Sequence, residues 1–87
     1  MIRGKLKNGF EYEVSKAALD NMELLDAIAE CDESPLAISR VVRLMLGNEQ
    51  RRKLYDHLRT EDGNVPVAAV SEAVAEIFKG SGQEAKN

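Results

Sequence analysis

Tryptophan is absent from this 87-residue chain, cysteine and histidine occur once each, and proline only twice. A single cysteine excludes an intrachain disulfide and any cysteine-cluster metal site, and it fits a reducing compartment. A single histidine excludes the paired-histidine spacing of common metalloenzymes, and there is no glycine-rich phosphate loop. Long apolar runs are missing as well: none approaches the ~18 residues of a membrane span, and no basic-then-apolar start marks a signal peptide. These absences lead to the expectation of a cytosolic protein without metal or cofactor. With only Phe10, Tyr12, Tyr55 and Phe78 as aromatics, the core must be aliphatic.

The few reactive side chains do not converge on a catalytic arrangement. His57 falls near the end of an expected helix, where a surface or dipole-facing role suits it. Cys31 precedes Asp32 and Glu33, whose charges raise a thiol pKa and weaken a nucleophile, so a buried structural thiol is expected. The stretch "EDGN" lacks the spaced oxygen ligands and closing glutamate of an EF-hand and reads as a turn. The chain is therefore read as a non-enzyme.

Eighty-seven residues make one domain, expected over 1–79 with a flexible tail at 80–87. A domain this small buries only about 60–65% of its unfolded surface, so a partner would help its stability. The net charge of −3 hides a pattern. Residues 1–10 carry Arg3, Lys5 and Lys7, residues 11–33 set eight acidic side chains against Lys16 alone, and residues 34–59 set six basic against two acidic.

The fold class is mainly α: an N-terminal β-hairpin followed by a small bundle of about four helices. In "IRGKLKNGFEYEV" a three-residue loop, Lys7-Asn8-Gly9, pairs Leu6 with Phe10, Gly4 with Tyr12 and Ile2 with Val14 on one apolar face. The opposite face then pairs Lys5 with Glu11 and Arg3 with Glu13, and Gly9 supplies the left-handed residue the loop needs. A short helical turn is expected at 15–19. A helix capped by Asp20, with Glu23 three residues on, should place Met22, Leu24, Leu25 and Ile28 on its apolar side.

"SPLAISRVVRLMLG" is the strongest helix signal, with Ser34 as cap, Pro35 at the first helical position and Gly47 as the stop. Leu36, Ile38, Val41, Val42, Leu44, Met45 and Leu46 cover most of its circumference, leaving Ser39, Arg40 and Arg43 as a polar strip. Asn48 is the expected cap of "EQRRKLYDHLR", with Leu54 and Leu58 inward. "TEDGN" is a loop, and "PVAAVSEAVAEIF" should align Val67, Val70, Val74, Ile77 and Phe78 before Gly80.

Two helices joined at Gly47-Asn48, with Arg51, Arg52 and Lys53 opening the second, echo a helix-turn-helix DNA-binding regulator. The acidic balance and the lack of base-reading side chains argue against nucleic acid as a partner. A generic oligomerisation or adaptor module is the other alternative.

Taken in order, "GFEYEV", "ALDNMELLDAIAE", "LMLGNEQ", "LRTEDGNVP" and "EAVAEIF" resemble the small tail assembly chaperones of long-tailed phages and Gram-positive prophages, over about residues 2–79. The resemblance implies a non-enzymatic protein of the host bacterial cytoplasm, absent from the mature virion. Such a chaperone binds the helical tape-measure protein, keeps it soluble and helps tail-tube subunits assemble around it. In many of these phages a translational frameshift also yields an extended form. Self-association into a homo-oligomer is also expected. A helix apolar nearly all round either sits at the centre of a core or touches something else. On the second view helix 36–46 offers an apolar groove for a client helix, with Arg40 and Arg43 at its rim and Met45 and Leu46 in contact.

Overall fold

A computed structural model of the chain describes residues 1–80. Strands β1 (Ile2–Lys5) and β2 (Glu11–Val14) form an antiparallel hairpin, followed by helices α1 (Lys16–Leu19), α2 (Met22–Glu30), α3 (Ile38–Leu58) and α4 (Val67–Gly80). The hairpin has the expected register, Ile2 opposite Val14, Arg3 opposite Glu13, Gly4 opposite Tyr12 and Lys5 opposite Glu11. Leu6 donates its N–H to Phe10 O (2.8 Å) and Gly9 donates to Leu6 O (2.9 Å), closing the three-residue loop with Gly9 at φ 95°. Arg3 and Glu13 form a solvent-exposed ion pair at 2.8 Å. Tyr12 lies flat across Gly4, where a Cβ would collide with the phenol.

The helix starts differ from the expected caps, each for a local reason. Ser15 caps α1, its Oγ accepting from the Ala18 N–H at 2.9 Å. Asp20 is consumed in ending α1, donating its N–H to Lys16 O with φ −93° and ψ 60°. The cap of α2 is Asn21, which has the extended backbone a cap requires and accepts from the Glu23 N–H at 3.0 Å. Ser34 makes no side-chain cap bond. Pro35–Ala37 form a tight 3₁₀ turn instead, in which the Ser34 carbonyl accepts from the Ala37 N–H at 3.0 Å. That turn leaves Leu36 86% exposed rather than packed.

Gly47 interrupts α3 as expected, at φ 83° and ψ 168°, dividing it into limbs 38–46 and 48–58. Asn48 Oδ1 accepts from Arg51 Nη2 at 3.3 Å. Thr60–Asn64 form the loop, with Gly63 at φ 91°. Helix α4 buries Val70, Ala73, Val74 and Ile77, while Val67 in its first turn projects past the core and stays exposed. Gly80 lies within α4 and is the last described residue; the expected stop there and the remainder of the expected tail, 81–87, lie outside the described residues.

One core unites these elements, with Leu24, Val41, Val42, Leu54 and Ile77 at its centre. The hairpin lies on it and is held by named bonds. His57 Nε2 is 2.9 Å from Asn8 O and its ring stands 5.6 Å from that of Phe10. Lys7 N–H donates to Glu76 Oε1 at 3.1 Å. The Gln50 side-chain amide brackets Glu13, accepting from its N–H (2.8 Å) and donating to its carbonyl (2.6 Å).

Candidate functional site

Three helices leave an apolar groove between them. The end of α2 contributes Ile28 and Cys31, the first limb of α3 contributes Ile38 and Val41, and α4 contributes Val74, Ala75 and Phe78. Ser71, Asp32 and Lys79 complete the lining, and the volume is about 440 Å³. The groove follows from side-chain spacing. Ile38 and Val41 are one turn apart on α3, and Val74 and Phe78 are one turn apart on α4, so each helix offers a short apolar wall. Val41 and Val74 form the buried floor, whereas Ile28, Cys31, Ile38 and Phe78 are half-buried.

Cys31 is thus a half-buried groove residue rather than a fully buried one. Burial pushes its thiol pKa up, and the Asp32 and Glu30 charges add to the shift. Glu30, one helical step before the thiol, takes the part that the sequence assigned to Glu33.

The four expected contact residues lie elsewhere. Arg40 Nη1 reaches Glu30 Oε1 at 3.3 Å on the surface, tying the start of α3 to the end of α2. Arg43 is exposed but sits about 200° around the helix from Val41, on the side of Met1 and Glu13. Met45 and Leu46 are only 2% and 7% exposed. They are core, because the helix is apolar all round for the reason that other elements enclose it. Of the expected apolar set only Ile38 and Val41 reach the groove.

No protein-family model, curated protein or solved structure matches this chain. No helix among the described residues is long and apolar enough to cross a membrane. Among those residues no group of three His, Cys, Asp or Glu side chains is placed to hold a metal ion.

The basic run on α3 is not presented as a DNA reader would present it. The two limbs are separated by one residue, Gly47, whereas a helix-turn-helix needs a turn of about three to four. Arg51 is folded inward, its guanidinium 5.7 Å from the Tyr55 ring centre and its Nε buried without a hydrogen-bond partner. Only Arg52 and Lys53 of the trio are exposed.

Proposed function

We propose that this chain is a non-enzymatic tail assembly chaperone. It holds an exposed helix of a tape-measure protein in the host bacterial cytoplasm and supports tail-tube assembly around it. The observation that carries the reading is the groove of α2, α3 and α4, about 440 Å³ and walled by seven apolar side chains beside Asp32, Ser71 and Lys79. A tape-measure protein is mostly amphipathic helix, and its unassembled apolar stripes must be covered. A short apolar groove between helices is the complement that helix-in-groove recognition uses. The ordered likeness of residues 2–79 to these chaperones supports the same reading, and it extends to self-association of the chain.

Co-expression with the tape-measure protein of the same gene cluster tests the proposal. The expected outcome is a soluble, copurifying complex in which Cys31 reacts more slowly with maleimide than in the free chain. Ala75→Trp, at an exposed position in the groove wall, fills the groove and should abolish copurification while leaving the fold intact. A client that stays equally insoluble, or a complex in which Cys31 reacts undiminished, refutes the groove reading.

A further inference from the structure

The two edges of the hairpin are finished differently. Antiparallel pairs alternate between those that exchange main-chain bonds and those whose N–H and C=O groups turn outward. Leu6 and Phe10 are a bonded pair, through Leu6 N–H to Phe10 O at 2.8 Å. Stepping along the register, Gly4–Tyr12 is bonded, while Lys5–Glu11 and Arg3–Glu13 turn their groups outward. On the β2 side, the outward groups of Glu13 are both taken by the Gln50 amide, which occupies the place an added strand would take there and leaves only those of Glu11 open. On the β1 side, Arg3 and Lys5 present the same groups, and no hydrogen bond from elsewhere among the described residues reaches them.

We propose that the outer edge of β1 docks an extended acidic segment of a partner protein as a third strand. Main-chain bonds at Arg3 and Lys5 would supply the attachment, and side chains the selection. The Arg3 and Lys5 side chains are exposed and stand on the same face of the hairpin. Residues of an added strand lie directly opposite them, where unlike charges stabilise and like charges destabilise. A second copy of β1, in either direction, sets cation against cation. An apolar strand meets two charged neighbours and no apolar one on that face. A segment with Asp or Glu at alternate positions pairs one carboxylate with Lys5, which has no ion pair among the described residues, and shares Arg3 with Glu13, so the charges that turn away other strands admit this one. The proposal is separate from the groove reading, because no β1 residue lines the groove.

Amide hydrogen exchange on the full chain tests it, with an eight-residue peptide of alternating Glu and Thr as the probe and a Lys-Thr peptide as the control. With the acidic peptide at about 1 mM, exchange at the Arg3 and Lys5 amides should slow about tenfold, while Glu13, already bonded to Gln50, should not change. Raising the salt should weaken the effect. Lys5→Pro removes an outward N–H without breaking a β1–β2 bond, and should abolish the slowing at Arg3 with the circular dichroism spectrum retained. Three results each overturn the proposal: unchanged exchange with the acidic peptide, equal slowing with the Lys-Thr peptide, or concentration-dependent protection of Arg3 and Lys5 in the free chain, which would assign the edge to a second copy.

Discussion

Gln50→Ala removes a side chain that joins three parts of the molecule. Its amide accepts from Glu13 N–H at 2.8 Å and donates to Glu13 O at 2.6 Å, holding the free edge of β2. The same Nε2 donates to Leu46 O at 3.1 Å, satisfying a carbonyl stranded at the end of the first α3 limb by the break at Gly47. Each such bond contributes about 0.5–1.5 kcal/mol net. The groups left behind at the surface can hydrate, which places the total near the low end, at about 1.5–2.5 kcal/mol. In a domain of this size that lowers Tm by about 6–15 °C. Thermal melts by circular dichroism give the shift, and exchange at the Glu13 amide should accelerate with it. Gln50→Glu keeps an acceptor for the Glu13 N–H but loses both donations and sets a carboxylate beside Glu13. It should therefore be no better than alanine at neutral pH. A fall in Tm below about 2 °C for Gln50→Ala would show that the amide is a bystander, and that the hold on β2 at Glu13 is not a feature of the fold.

Gly47→Ala should cost about 1–3 kcal/mol by chemical denaturation. Apart from its neighbours along the chain, no atom lies within 4 Å of the added methyl, so the cost comes from φ 83°, and a neutral variant would contradict that conformation. Gly4→Ala should cost about 1–3 kcal/mol for a different reason, since its methyl meets the Tyr12 ring; melts in a Tyr12→Leu background should recover part of the loss. Because folding raises the Cys31 pKa, the folded chain holds its thiol proton to higher pH than the unfolded chain. Stability from this group is therefore lost as pH rises through the alkaline range, and Cys31→Ala should flatten that slope in denaturation midpoints. Leu36→Ser, at an 86% exposed position, should change stability by less than about 0.5 kcal/mol, and a larger loss would mean that Leu36 packs against something.

The hairpin was legible in the sequence because two independent patterns agree in one register. Alternating Leu6, Phe10, Tyr12 and Val14 mark one face, and the opposite charges of Arg3 and Glu13 mark the other. The break at Gly47 was legible for the same kind of reason, an apolar helix pattern ending on the residue that best tolerates a positive φ. Caps were less so, since Asp20 and Asn21 are neighbours with equal capping chemistry and only the end of α1 decides between them. The candidate site was hidden further. Helical periodicity shows that Ile38, Val41, Val74 and Phe78 are apolar, but a groove is the space between helices and depends on how they are set apart. Met45 and Leu46 misled because an all-round apolar helix has the same sequence whether its faces meet a client or its own hairpin. Gln50 carried no signal at all, being a lone polar residue within a charged run.

The bond between Lys7 and Glu76 spans 69 positions, and Tyr12 rests against Gly80 at the last turn of α4. In synthesis the hairpin is therefore made long before α4, the helix that completes its packing. Its β2 edge can meet Gln50 and its Phe10 ring His57 as α3 emerges, but the α4 side stays open until residue 80 has left the ribosome. During that interval a short ribbon with a bare β1 edge and a Tyr12 ring not yet covered by α4 is a part of the nascent chain open to mispairing. Arg3 and Lys5, exposed on β1, are the kind of charged edge residue that disfavours such mispairing before the finished domain exists.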